Sequence, residues 1–177
     1  MSDRLPDAVR RLTVALLHVV GVSGVDAQVA LTRAALSTAL VDPTTRELYE
    51  GRAKSFLVWS VPGSLALHAS VHRPGHVTAP HDHGPAWAVY GVVSGPTTFS
   101  RIERGTDTGS GVASLGPRTE QELPPGAIEV VWPGQVHAVA NRGDGWGWNL
   151  VVRSRLLSEV HRAVFDESTG AYRMQGA

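Results

Sequence analysis

From Phe56 onward the chain is cut into short β-rich runs by tight turns, and this spacing limits the fold more than any other feature. The runs are FLVWSV, LALHASVH, WAVYGVV, TTFSRI, AIEVVW, VHAVA and WNLVV. Between them stand Pro62-Gly63, Pro74-Gly75, Gly95-Pro96, Pro125-Gly126, Pro133-Gly134 and the segment Asn141 to Gly143. Proline presets the backbone for a turn and glycine accepts the left-handed conformation, so each pair ends one strand and redirects the next. Many short strands at regular spacing read as a β-sandwich or barrel. The polar, glycine-rich stretch Gly105 to Gly116 is expected as an exposed loop between two strands. EVHRAVF and AYRM, flanking Asp166 to Gly170, are expected as a last hairpin.

Before Phe56 the period changes. Leu5, Val9, Leu12, Leu16 and Val20 recur every three or four residues, with Arg4, Arg10 and Arg11 elsewhere, which predicts an amphipathic helix over 4–20 closed at Gly21. Asp26 is expected to cap a second helix running to about Leu40, which Asp42-Pro43 breaks, and Thr45 to Glu50 adds a helical turn. The chain reads as one domain: residues 1–51 form a helical cover, 56–152 the barrel core and 153–177 a C-terminal hairpin extension.

Sixteen basic residues balance sixteen acidic ones, which argues against a nucleic-acid surface or a polybasic membrane patch. No apolar run approaches the roughly 18 residues of a transmembrane helix. MSDRLPDAVRRL lacks the apolar core of a signal peptide. Without cysteine there is no disulfide, thiolate metal site or cysteine nucleophile, and a cytoplasmic protein is expected.

Histidine is the residue in excess, with eight in the chain and five between His68 and His83. In GHVTAPHDHGPAWAVYGVVSG, His81 and His83 stand two apart, so on a strand both imidazoles project from one face. In GAIEVVWPGQVHAVAN a β-run meets a Pro-Gly turn and His137 opens the next strand. Antiparallel strands folded into a barrel can bring His137 against the other two.

These two segments resemble the paired motifs of the cupin superfamily. Gly75, His81, His83 and Gly95 fit the first; Gly126, Gly134, His137 and Asn141 fit the second, with its proline displaced to Pro133. The resemblance covers roughly residues 56–152 and implies a mainly β, double-stranded β-helix (jelly-roll) barrel with the N-terminal helices packed outside. It also implies a metal held by His81, His83 and His137. Where most cupins place a glutamate ligand this chain has Ala88, or Trp87 at the shorter spacing. A triad of neutral histidines leaves a divalent ion uncompensated and favours anionic ligands.

Loss of the glutamate together with PHDH is similar to the thiol dioxygenases, the group of cysteine dioxygenase and 3-mercaptopropionate dioxygenase, and to related bacterial cupins of unassigned function. In the thiol dioxygenases Fe(II) on three histidines takes a thiolate and dioxygen side by side, and oxygen passes onto sulfur. The Ser-His-Tyr relay of that group is missing here: its window reads GDGWGWNLVVRSRLL. The arginine that anchors the substrate carboxylate is expected upstream, at Arg52 or Lys54.

Strand alternation sorts the remaining candidates. Leu65, Leu67, Ala69 and Val71 take one face, while His68 and His72 take the other, toward the barrel interior as groups supporting the metal or carrying protons. Tyr90 shares the inward face with Ala88 and is expected to hydrogen-bond a metal-bound ligand. Trp87 is assigned to the substrate, and Trp132, Trp146 and Trp148 to the pocket wall or barrel ends. Asp82 points away from the metal into a structural role at the rim, and Asn141 fixes the turn after the third ligand. His76 and His161 are expected at the surface.

Three functions compete. The first is an Fe(II)-dependent, thiol-dioxygenase-like oxygenase acting on a small anionic substrate. The second is a lyase, isomerase or hydrolase using Zn, Ni or Mn as a Lewis acid. The third is a cupin that binds a small ligand without catalysis. A homodimer through barrel edges is the expected assembly.

Overall fold

The computed structural model describes residues 5–107 and 111–176. Two helices come first, α1 (Asp7–Val20) and α2 (Val25–Val41), followed by a 3-10 helix at Pro43–Tyr49. Ten strands follow: β1 (Phe56–Val61), β2 (Leu65–His72), β3 (Ala88–Ser94), β4 (Thr97–Asp107), β5 (Ala113–Leu123), β6 (Ile128–Val131), β7 (Val136–Ala140), β8 (Gly147–Arg153), β9 (Arg162–Phe165) and β10 (Tyr172–Gln175). No described helix is long and apolar enough to cross a membrane.

The strands pair antiparallel throughout, in the order β1-β2-β8-β3-β6 for one sheet and β5-β4-β7 for the other. Single bridges from Val77 to Ala140 and from His81 to His137 lay residues 77–81 beside β7, and a third from His81 to Val164 adds β9. The two sheets face each other as a double-stranded β-helix, the expected fold.

The central strands β2, β8 and β3 are buried on both faces, which explains why they are apolar at most positions. Tyr90, Val92 and Val151 face the barrel interior against Phe99 and Val139 of the second sheet. Leu67, Ala69, Trp87, Val89, Leu150 and Val152 face outward, where Val9, Leu12 and Leu16 of α1 and Leu36 of α2 cover them. Leu16, Leu36, Leu67 and Leu150 are fully buried; each such side chain stabilises the sandwich by about 2 kcal/mol.

Two expectations are corrected here. Asp26 is not the N-cap of α2: the helix begins at Val25, Gly24 is the cap with φ 90°, and Asp26 lies in the first turn. There its carboxylate acts on the amide end of the helix dipole instead of on a single N–H. The stretch Gly105 to Gly116 is not a loop, because β4 and β5 run through most of it; residues 108–110 lie outside the described residues. Gly105 and Gly116 answer to cross-strand crowding. A Cβ on Gly105 would meet the Ser114 hydroxyl at 2.0 Å, and one on Gly116 would meet Glu103 at 3.1 Å. Composition reads such glycines as a turn, whereas the ladder needs them for close approach.

The C-terminal hairpin of β9 and β10 is bonded into the barrel edge. Asp82 N–H donates to the Ala163 carbonyl (3.1 Å), and Phe165 N–H to that of Pro80 (2.9 Å). Gly84, with φ 55°, makes this approach possible: a Cβ there would lie 2.1 Å from the His161 carbonyl oxygen.

Candidate metal centre

His81 and His137 are directly opposed. Each backbone N–H donates to the other's carbonyl, at 3.0 and 2.9 Å, and their rings lie 4.3 Å apart. His83, two residues along, projects from the same face, its ring 5.4 Å from that of His81 and 4.8 Å from that of His137. One nitrogen from each imidazole fits within a mutual distance of 4.8 Å. The Phe99 ring stacks on His137 at 5.4 Å and closes one side.

The tautomers suit an ion. His81 Nδ1 bonds the Ala79 carbonyl at 2.9 Å, and His137 Nδ1 lies 3.4 Å from that of Gln135. A carbonyl only accepts, so each Nδ1 carries the proton and each Nε2 presents a lone pair to the cluster. His83 and His137 are fully buried. Burial first, and then the neighbouring histidines, hold both well below the usual imidazole range. Burial likewise lowers His81, to about 4. All three are therefore neutral near pH 7, the state a metal ion requires. His83 Nδ1 is buried without a hydrogen-bond partner.

The strand alternation that turns His81 and His83 inward turns Asp82 the other way. It is buried instead of at the rim, accepting from Gly84 N–H (3.0 Å), Ala163 N–H (2.8 Å) and Arg104 Nη1 (3.2 Å). Asp82 thereby fastens β9 beside the histidines. Asn141 fixes its turn through Gly143 N–H (3.1 Å) and the Gly145 carbonyl (2.7 Å), and ties it to the His72 carbonyl (2.9 Å).

Tyr90 reaches the cluster: its hydroxyl lies 3.1 Å from His137 Nε2 and 3.5 Å from His83 Nε2. Other expected contacts are not made. Trp87 faces outward beneath α2, with its indole N–H on the Gln28 side-chain oxygen at 3.2 Å, because it alternates with Ala88 and Tyr90 on a strand whose other face is the barrel lining. Arg52 and Lys54 are exposed ahead of edge strand β1, and Arg52 lies over the Phe56 ring at 4.6 Å. Trp132 and Trp146 are half exposed, and Trp148 stacks on Tyr49 at 5.3 Å in the outer core. None of the three walls the site.

The two histidines of β2 separate. His68 stands level with Val151 of β8, as Tyr90 does on the other side, and burial and then Arg153 lower its pKa to about 4. His72, four residues along, lies at the opposite end of the strand. Its ring packs 4.9 Å from His76, which is half-buried instead of exposed, and burial and then His76 lower it to about 4. It touches none of the three clustered histidines, so its placement beside the metal is corrected. His161 is exposed, as expected.

Sequence reasoning missed the cations. Arg153, 7% exposed, and the half-buried Arg162 of β9 both act electrostatically on His81, His83, His137 and Tyr90. Arg162 Nη2 bonds the neutral Gln175 side chain at 2.9 Å. Among the described residues neither guanidinium forms a salt bridge, whereas Arg101, opposite His137 in the β4–β7 register, is neutralised by Glu129. Burial and then Arg153 lower the pKa of Arg162. Arg153, the last residue of β8, stands level with Ala88 of β3. A signal existed for Arg153: alternation in WNLVVR sets Asn149, Val151 and Arg153 on one face. Arg162 had none, since only the docking of β9 brings it near.

No protein-family model and no curated protein matches the chain. Among solved structures, a protein with a double-stranded β-helix domain from Klebsiella pneumoniae is similar over 72% of this chain and 89% of its own, at 17% identity and TM-score 0.43. The Cnp3 cupin domain of Schizosaccharomyces pombe is similar over 58% of this chain and 64% of its own, at 9% identity and TM-score 0.45. Oxalate oxidase in complex with glycolate is similar over 52% of this chain and 42% of its own, at 18% identity and TM-score 0.43. Likeness at these values says nothing about the chemistry of the site.

Proposed function

We propose that the protein is a metal-dependent enzyme that acts on a small anionic substrate, with Fe(II) as its ion and thiol-dioxygenase-like oxygen chemistry. The observation that carries this reading is the pairing of three neutral, convergent imidazoles with two guanidiniums that form no salt bridge among the described residues. When bound, the ion supplies open coordination positions and, as Fe(II), the one-electron chemistry that dioxygen requires.

The protein's own share is positioning. His81, His83 and His137 hold the ion, with Nε2 of His81 and His137 aimed by the Ala79 and Gln135 carbonyls. Arg153 and Arg162 bind the anionic group of the substrate, which relieves their mutual repulsion and orients the molecule. The window that lacks a Ser-His-Tyr relay thus supplies a cation, Arg153. Phe99, Val131 and Val151 line the barrel interior with apolar surface and exclude water. The Tyr90 hydroxyl is in reach of groups bound at the cluster.

The reaction proposed is RSH + O2 → RSO2H, with both oxygen atoms entering the sulfinate. Anaerobically purified protein is expected to hold one iron and to consume oxygen with a small thiol-carboxylate, and His137→Ala to lose the iron while its circular dichroism is kept. Iron at full occupancy without oxygen uptake on a panel of small thiols would remove the oxygenase reading and leave the metal site. Full zinc occupancy, unchanged by growth in iron-rich medium, would favour Lewis-acid chemistry instead.

A further inference from the structure

We propose that His68 is a specificity-determining residue: its imidazole and the Arg153 guanidinium together hold one carboxylate of the substrate, in the space that Ala66 and Ala88 leave open. The proposal deepens the reading above and rests on its anion site, not on the metal.

Register brings the two side chains together. Residues level with one another on neighbouring strands project from the same face of a sheet. One row reads Ala66, Arg153 and Ala88 across β2, β8 and β3, and the next reads His68, Val151 and Tyr90. Ala88, Tyr90 and Val151 pack in the barrel interior, so both rows face inward. His68 and Arg153 are therefore diagonal neighbours, a spacing that long side chains span.

Each of the two carries an unanswered nitrogen. His68 Nε2 and Arg153 Nε are buried without a hydrogen-bond partner. The exposed Arg101, Arg104 and Arg118 face the carboxylates of Glu129, Asp82 and Glu120. Arg153 is the more buried cation and has the greater need of a counter-charge, yet no carboxylate pairs with it among the described residues. A bound carboxylate brings one negative charge and two acceptor oxygens. One oxygen takes the guanidinium and the other the imidazole N–H, which answers both nitrogens and balances Arg153. His68 is neutral near pH 7, because burial and then Arg153 hold it at about 4. It thus adds a donor without a second positive charge.

The neighbours leave room for such a ligand. Ala66 and Ala88 flank Arg153 on both sides, fully buried, and an alanine side chain ends at Cβ. Neither cross-strand neighbour covers the guanidinium. Beyond His68 its row ends at Leu57 of the edge strand β1, which is 47% exposed, and a small molecule can reach the cradle from that side.

The test uses chelator-treated, metal-free protein with acetate as the probe. Acetate is expected to move the His68 imidazole nitrogen resonances saturably by NMR, and sodium chloride at the same ionic strength to leave them in place. In calorimetry His68→Phe should weaken acetate binding about tenfold, and His68→Gln, whose amide still donates, should recover most of the loss. Ala88→Leu should abolish binding. No saturable shift in the wild type, equal acetate affinity in His68→Phe, or equal weakening in His68→Phe and His68→Gln would each overturn the proposal. Acetate held only after Zn(II) is added would place the anion on the ion and overturn it as well. A wild type that binds acetate but no metal ion would instead end the enzyme reading above and leave this carboxylate site standing.

Discussion

His72 makes folding stability depend on pH in a way the structure quantifies. It is 8% exposed, neither ring nitrogen has a hydrogen-bond partner, and burial with the adjacent His76 lowers its pKa from 6.5 to about 4. In the unfolded chain it protonates near 6.5, so between about pH 6.5 and 4 the unfolded state binds the extra proton. Stability due to His72 is therefore complete above that window and declines as pH falls through it. Each unit is worth 1.36 kcal/mol, so at pH 5 the loss is about 2 kcal/mol, a large share of a typical 5–15 kcal/mol. The assay is urea unfolding of chelator-treated protein at pH 7 and pH 5, for wild type and His72→Gln. His68, His81, His83 and His137 titrate in both proteins, so their contribution cancels in the difference. The variant should lose about 2 kcal/mol less than wild type on acidification, and its metal content should match wild type because His72 is remote from the cluster. Equal losses in the two proteins would refute the reasoning.

The remaining predictions concern the site. Arg153→Gln should keep the metal but weaken binding of an anionic substrate about 10- to 100-fold, the value of a charge-assisted hydrogen bond; an unchanged KM would contradict its role. Gly84→Ala should displace β9, since the new Cβ would lie 2.1 Å from the His161 carbonyl on a backbone with φ 55°. A melting temperature at least about 4 °C lower, together with weaker anion binding through misplaced Arg162, is expected; calorimetry showing no shift would mean that the hairpin yields freely.

Much of the fold was legible because it is written in local chemistry. Pro-Gly turns and period-two alternation located the strands, and i, i+2 geometry placed His81 and His83 on one face. The errors arose where one residue pattern has two causes. Gly105 and Gly116 read as a loop, but their small size serves cross-strand contact. Trp87 lies opposite Tyr90 by alternation; with both faces of the central strands buried, hydrophobicity cannot say which face lines the barrel. His72 carries the same inward signal as His68, and only its depth along β2 removes it from the cluster.

By itself, then, the sequence determined the strand periods, the turns and the three histidines with a blank at Ala88. The tertiary structure decided which groups join them. Tyr90 meets His137 across 47 positions of chain, Arg153 comes level with Ala88 through the β3–β8 register, and Arg162 arrives on a hairpin fastened by Asp82. Register and docking are settled by packing and hydrogen bonds between distant segments, and no local pattern encodes them.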